Sequence, residues 1–441
     1  MNPTTVGLLM FAAMLLLMVV RVPISVAMFV PGMVGYALLA GEGTLLNQLK
    51  NSALARLSSY DLSVIPLFLL MGNFATQGGL SRALFEAASA FLGHVRGGLA
   101  MSSIASSAVF GAVCGSSVAT AATITQVAYP QMKQLGYSGR LSTATLALGG
   151  TLGILIPPSV PLVIYAILTE QNLAKLFAAA TIPGILAAIG YLMVIAIVTR
   201  RNPALAPLKA ALPWPARFQA LLGVWPILLI FLLVFGGIYG GIFTPTEGAS
   251  VGALGTFIVG LLKGELKWPG VRRALLSTAE ATAMVFMIFL GADMLTSALA
   301  LTQLPARISE WIAHLPVAPI LIVAGILLLY IVLGAVMDEL SMIVLTIPVL
   351  FPAVMAMNLY GLDSQEKAIW FGILVLMTVE FGLVAPPVGL CVYVVNSLTK
   401  DVPMSETYLG VLPFLVSDLI RIVLLLLFPV ISLFLVRAFF S

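Results

Sequence analysis

The chain has 441 residues, of which 61% are hydrophobic and only 9% charged, with a net charge of +4. A soluble domain carries about a quarter charged residues, so a water-soluble globular enzyme is excluded. The small positive excess fits anchoring at the cytoplasmic face of a membrane rather than nucleic-acid binding. Mean hydropathy is +1.12, and at roughly 20 residues per crossing the chain holds on the order of ten to twelve membrane segments. Cys114 and Cys391 both lie in apolar surroundings, which predicts two buried small residues rather than a disulfide.

Residues 4–20 and 23–40 read as two spans separated by Arg21 and Pro23. The first segment lacks a basic leading region, so a cleaved signal peptide is not expected. Residues 43–60 are weakly amphipathic and suit an interfacial helix. Residues 62–78 form a span, and Ser81–His94 an amphipathic connector. The stretch 98–170 then departs from simple hydrophobicity. Its apolar run stops at Cys114-Gly115-Ser116-Ser117, and a later helix is interrupted between Gly149 and Pro158. A further span, 174–198, leads to a basic loop with Arg200, Arg201, Lys209 and Arg217. Spans at 219–238 and 248–262 precede a second basic loop with Lys263, Lys267, Arg272 and Arg273. The turn Gly236–Glu247 between those spans has no Lys or Arg. Both basic loops therefore lie on one side, and the positive-inside rule makes that side cytoplasmic.

The second half repeats the first. A span at 275–300 is followed by an amphipathic stretch, Thr302–His314, and an apolar run from 317 that stops at Met337-Asp338-Glu339-Leu340-Ser341. A polar loop, Tyr360–Lys367, leads into a span broken at Gly382-Leu383-Val384-Ala385-Pro386-Pro387, and segments 405–416 and 418–440 complete the chain. Matching anchors are Gly72 with Gly291, Arg82 with Arg307, Gly111-Ala-Val with Gly334-Ala-Val, and Gly153-Ile-Leu-Ile-Pro-Pro with Gly382-Leu-Val-Ala-Pro-Pro. Each unit contains an odd number of crossings, which predicts inverted topology. Paired, interrupted segments in corresponding positions point to the midplane site of a secondary transporter.

Irregular backbone at membrane depth survives only where it is buried or lines a cavity. In the first half Ser116, Ser117 and Thr120 offer hydroxyl oxygens, and the interrupted helix offers carbonyls around Gly149, Gly150, Gly153 and Ile156. Pro157 and Pro158 remove two N–H donors, freeing carbonyls one turn earlier. Hard oxygens without a carboxylate cluster suit Na⁺ rather than Ca²⁺. The second half offers Asp338, Glu339 and Ser341 at its tip and Thr378, Gly382 and Ala385 at its break. Two pseudo-equivalent sites imply at least two coupled Na⁺ ions. Small residues alone also serve close helix packing; the duplicated hairpin and Pro-Pro arrangement favours a site. Glu247, Glu280, Asp293, Asp338, Glu339 and Glu380 fall in or near apolar stretches, where acids are costly. Glu247 follows Thr244-Pro245-Thr246 and reads as a helix-start acid. Glu380 reads as a candidate for an ion or proton role. Gly115-Ser116-Ser117-Val118-Ala119 lacks the final glycine of a serine nucleophile elbow, and no HExxH or nucleotide loop occurs, which argues against an enzyme.

GSSVATAATI with GGTLGILIPPS, and MDELSMIVLTIPVLFP with FGLVAPPVGL, closely resemble the large membrane subunit of tripartite ATP-independent periplasmic (TRAP) transporters. The resemblance spans essentially the whole chain. It implies an all-α polytopic membrane protein of the bacterial inner membrane. Two inverted-topology repeats, each with a re-entrant hairpin and a broken helix, would form an elevator-type transporter with scaffold and transport domains. On that pattern, residues 1–60 are N-terminal scaffold helices and 61–200 the first repeat, with its hairpin at about 98–130 and broken helix at about 141–168. Residues 201–274 are scaffold helices and basic loops, and 275–441 the second repeat, with its hairpin at about 317–357 and broken helix at about 366–397. The resemblance implies Na⁺ symport of an organic acid, usually a carboxylate, with two partners: a small four-helix membrane subunit and a periplasmic substrate-binding protein. The large-subunit pattern begins at Met1, so the small subunit is expected as a separate chain. Carried over by motif, one Na⁺ site uses Ser116, Ser117, Gly149, Gly153 and Ile156, and the other Gly334, Glu339, Thr378, Gly382 and Ala385. The substrate lies near Ser117, Thr120, Pro158 and Asp338. The second tip is acidic where the first is hydroxyl-rich, so strict two-fold symmetry of ion ligands is not expected. A stand-alone carboxylate symporter of a related hairpin fold is the alternative reading.

Overall fold

The computed structural model describes residues 2–314 and 316–440 and builds them into helices α1–α21. Helices α1 (Pro3–Val19) and α2 (Ile24–Ala40) come first, then α3 (Glu42–Leu57). The segment after α3 bends by 57° into α4 (Val64–Gln77). α5 (Leu80–Leu92) is the amphipathic connector. A hairpin of α6 (Gly98–Cys114) and α7 (Ser117–Gln134) follows, then α8 (Gly139–Leu155), α9 (Val160–Thr169) and the long α10 (Leu173–Arg201). α11 (Trp214–Leu222), α12 (Trp225–Tyr239) and α13 (Pro245–Leu262) join the halves, with a 49° bend between the first two. The second half contains α14 (Trp268–Thr302), α15 (Leu304–Ala313), the hairpin α16 (Pro319–Gly334) and α17 (Glu339–Ala356), then α18 (Ser364–Gly382), α19 (Leu390–Leu398), α20 (Met404–Leu427) and α21 (Val430–Phe440).

The order α4–α10 recurs as α14–α20, and contacts between the halves show that the second copy is inverted. At the start of α8, Ser138 N donates to Leu205 O at 2.9 Å, placing the α7–α8 turn beside the basic loop that ends α10. Lys133 at the end of α7 pairs with Asp401 at 2.8 Å, so the turn after α19 lies at that same end. At the opposite end, Lys175 Nζ in the first turn of α10 donates to Gln365 Oε1 in the first turn of α18 at 2.7 Å. α8–α9 thus runs away from the basic end, and α18–α19 runs back toward it.

By length and composition, six helices of the described residues can cross a membrane, or up to eight if each bent pair is one span. Five shorter apolar helices, including the first arms of both hairpins, lie beside them among the described residues. The ten to twelve segments expected from hydrophobicity therefore resolve into fewer full crossings plus partial ones. Of the most apolar window in 139–169, 83% is buried inside the protein, against 28% for α10. α8 and α9 thus face protein rather than lipid, which is what makes their interruption tolerable.

Several boundaries differ from the sequence reading; Arg200 and Arg201 fall in the last turn of α10, and Arg217 lies within α11. Arg272 and Arg273 lie within α14, because Pro269 in the first turn lets the helix start at Trp268. No break occurs near residue 417. Asp418 pairs with Arg421 at 2.9 Å within α20, so its charge is satisfied and the helix continues until Phe428-Pro429. Glu247 behaves as read: with Thr244 it forms a capping box that starts α13.

Candidate functional site

α6 ends at Gly115, whose φ of 66° is left-handed and turns the chain at no side-chain cost. Ser116 then caps α7, its Oγ accepting from Ala119 N at 3.4 Å. Ser159 caps α9 in the same way, accepting from Leu162 N at 3.4 Å. Asp338 caps α17 through Leu340 N at 3.1 Å and Ser341 N at 3.0 Å. α19 starts at Gly389, with φ 53°. The peptide bonds Pro157–Pro158 and Pro386–Pro387 are both cis.

The two halves pack alike around their breaks. A Cβ on Gly111 would sit 2.6 Å from the Gly153 Cα, and a Cβ on Gly382 would sit 2.5 Å from the Gly334 Cα. Each hairpin's first arm therefore touches its broken helix backbone to backbone, through the glycines that the repeat aligns.

Starts of all four half-helices meet at one cavity of about 390 Å³. Gly115, Ser116 and Val118 border it from the first tip, Asp338, Glu339 and Leu340 from the second, Val160 and Pro161 from α9, and Leu390 from α19. α4 and α14 close the remaining side with Leu69, Ala281, Met284 and Val285. No Lys, Arg or His is among the lining residues. Helix N-termini carry partial positive charge that favours an anion. Some of their N–H groups are already taken: the cap of Asp338 takes Leu340 N and Ser341 N, Ser159 takes Leu162 N, and Gly115 O takes Val160 N. The Asp338 and Glu339 carboxylates share the lining.

Of the four residues that sequence places at the substrate, Asp338 lines this cavity. Ser117, Thr120 and Pro158 are buried and do not border it, whereas Ser116 and Glu339 do. The first predicted ion set is drawn together in part. Thr120 Oγ1 and Ser116 O lie 2.7 and 2.8 Å from where a Gly153 Cβ would stand, so oxygens crowd that glycine. Gly149 faces Ser107 Oγ at 2.6 Å by the same measure. Ile156 ends α8 in extended conformation and packs on Gly184. In the second set, Thr378 Oγ1 donates within α18 to Val375 O at 2.8 Å, leaving its lone pairs open. The Gly382 carbonyl accepts from Ala385 N at 3.2 Å. Glu339 reaches across to the first set: Ser117 Oγ donates to its Oε1 at 2.8 Å, and its Oε2 has no hydrogen-bond partner among the described residues.

Glu380 is not a lone acid. Its Oε2 accepts from Arg421 NH2 at 2.6 Å, and its Oε1 accepts from Thr151 Oγ1 and Tyr191 Oη, both at 3.0 Å. Tyr191 Oη also lies 3.1 Å from Asp418. All five side chains are buried. Sequence reasoning missed Thr151, Tyr191, Asp418 and Arg421; an acid and a base three residues apart inside the apolar run of α20 is the signal that was there to read. Asp293 is likewise partnered, by a two-pronged contact from Arg56 on α3.

A family model described as "Tripartite ATP-independent periplasmic transporter, DctM component" matches residues 11–431. A C4-dicarboxylate TRAP transporter large permease protein of Pseudomonas aeruginosa is 34% identical over 85% of this chain and 86% of its own length. An ectoine TRAP transporter large permease protein of Halomonas elongata is 30% identical, covering 97% of this chain and 98% of the relative. Among solved structures, the YdaH transporter of Alcanivorax borkumensis superposes with a TM-score of 0.62 at 15% identity, over 97% of this chain and 98% of that one. That likeness is one of fold.

Proposed function

The chain belongs to the DctM-component family of tripartite ATP-independent periplasmic transporters, and from that premise we propose that it imports an organic acid by Na⁺ symport. It is a multi-pass membrane protein and a transport protein rather than an enzyme. In this reading it sits in a bacterial inner membrane beside a small four-helix subunit and receives substrate from a periplasmic binding protein. The single observation that carries the reading is the cavity between the two hairpin tips, faced by the starts of α7, α9, α17 and α19. In this reading a carboxylate bound there faces the positive dipole ends of the four helices, and Na⁺ ions on the adjoining oxygens offset the charge of Asp338 and Glu339. The cavity's volume of about 390 Å³ suits a small acid.

Na⁺ is held in this reading by the oxygens around Gly153 and by those around Gly382, two ions or more per substrate. Hydroxyls and carbonyls bind Na⁺ weakly one at a time, so release is not blocked. The hairpins and broken helices move as one body against α4, α14 and the joining helices, carrying the cavity between the two faces of the membrane. Substrate identity is divided among the relatives, whose names include C4-dicarboxylate and ectoine transport.

The test is uptake into proteoliposomes holding this chain with its small-subunit neighbour, across a panel of organic acids. Each acid is tried with and without a Na⁺ gradient and with and without the candidate binding protein. Uptake requiring both establishes the reading and names the substrate. Uptake needing Na⁺ alone points to a stand-alone symporter, and uptake indifferent to Na⁺ overturns the coupling.

A further inference from the structure

Residues that touch their own counterparts mark the internal two-fold axis, because only groups on or beside such an axis can meet their images. Two pairs do so. Thr151 and Glu380 stand 229 positions apart, the same offset as Gly153 and Gly382 or Pro157 and Pro386, and the Thr151 hydroxyl, shared with Leu148 O at 2.8 Å, reaches Glu380 Oε1 at 3.0 Å. Ser117 and Glu339 are each the first residue after a hairpin cap, Ser116 and Asp338, and they are hydrogen-bonded at 2.8 Å. In both pairs the first repeat supplies a hydroxyl and the second a carboxylate.

The Thr151–Glu380 pair sits two residues ahead of the glycine at each break. It is therefore a tie between α8 and α18 at the level where each helix stops. Both side chains are fully buried, and Arg421 and Tyr191 hold the carboxylate from the other side. Neither residue belongs to the ion sets assigned above. A shift of α8 on closing around one ion is passed through this tie to α18, whose break forms the other set. Gly111 and Gly334 hold each break against its own hairpin, and the Ser117–Glu339 bond is a second tie at the hairpin tips.

We infer that Thr151 is a positioning residue that couples the two cation sites, so that Na⁺ at one raises affinity at the other. The inference rests on the Na⁺ reading above. Coupling between sites is reciprocal and commonly changes affinity about five-fold or more. It shows as a Hill coefficient above 1 for Na⁺.

The experiment is equilibrium binding of radioactive Na⁺ to the purified transporter at constant ionic strength, with choline as the replacement cation. Wild type binds with a Hill coefficient above 1. Thr151→Val keeps the shape and removes the hydroxyl; its Hill coefficient falls toward 1, with the Ser117–Glu339 tie left in place, and its half-saturating Na⁺ rises about five-fold. Thr151→Ser restores both. Tyr191→Phe removes the other donor to the same carboxylate oxygen without cutting the tie, and keeps the wild-type Hill coefficient. If the valine variant does not fold, Thr151→Ala makes the same cut with less bulk. A wild-type coefficient of 1, an unchanged valine variant, or an equal loss in Tyr191→Phe overturns the coupling while leaving Na⁺ symport intact. No saturable Na⁺ binding by wild type overturns the symport reading itself.

Discussion

Glu339, Glu380 and Asp401 are three acids of one chain held in three different ways, and each predicts a different response to substitution. Ser117→Ala removes the side-chain hydrogen bond that the described residues give the Glu339 carboxylate and leaves the buried group without a side-chain donor among them. A loss of about 1–3 kcal/mol is expected, measured as thermal unfolding in detergent, together with weakened Na⁺-dependent uptake. Normal uptake with unchanged Na⁺ dependence would remove Ser117 from the ion set. Arg421→Met leaves Glu380 and Asp418 facing each other without the guanidinium. Breaking a buried pair in this way costs about 3–5 kcal/mol, so the variant is expected to reach the membrane poorly, as judged by size-exclusion chromatography of a fluorescent fusion. Asp401 lies in the turn after α19, where hydrogen bonds from Lys133 and Tyr129 hold its carboxyl below the usual aspartate value. A lowered pKa means that its contribution is present above the unfolded-state value and lost as pH falls through the folded one. The pair is exposed, so the contribution is at most about 1 kcal/mol. Melting of wild type and Asp401→Asn should differ at pH 7 and converge in acid; a gap that persists in acid would assign the difference to something other than this charge.

At the scale of helices, the breaks were legible because glycine and proline carry their conformational meaning locally. Gly115, Pro157-Pro158 and Pro386-Pro387 mark the places where helices stop. What those breaks face was not legible. Glu380 is met by residues from α8, α10 and α20, between 41 and 229 positions away, and no local pattern links them. Asp418 is the opposite case: its partner Arg421 is one turn on, so the pair that lets the helix continue was local and readable. The paired glycines give a direct test of helix packing. Gly153→Ala and Gly382→Ala each put a methyl against backbone at under 3 Å. Overpacking of that kind costs about 1–3 kcal/mol, and both variants should melt earlier than wild type. Ala substitution of Gly325, which faces open space, serves as the control. Equal effects at all three positions would show that the loss is not one of close approach.

For the whole molecule, orientation rests on the two basic loops and on the contacts that tie each helix end to one of them. Leu208 lies in the first basic loop and Ile242 in the turn without Lys or Arg; both are exposed. Leu208→Cys should react with a membrane-impermeant thiol reagent only from the cytoplasmic side of the cell membrane, and Ile242→Cys only from outside. The native Cys114 and Cys391 are buried, which keeps the background low. Labelling of both from the same side would break the proposed topology. The repeat, its inversion and the tripartite resemblance could all be read from the order of motifs. The convergence of four helix starts could not, because it depends on how two antiparallel copies meet in space.

The axial pairs also constrain how such a chain could have arisen. A dimer of identical half-length proteins would have met itself at these two positions, residue against the same residue. Hydroxyl against hydroxyl is tolerable there, since each can donate to the other. Carboxylate against carboxylate in a dry interior is tolerable only if the pair shares a proton, because two like charges at hydrogen-bonding distance cannot both ionise. Pairing each carboxylate with a hydroxyl, as Glu339 and Glu380 are paired, removes that need once the two halves are free to differ.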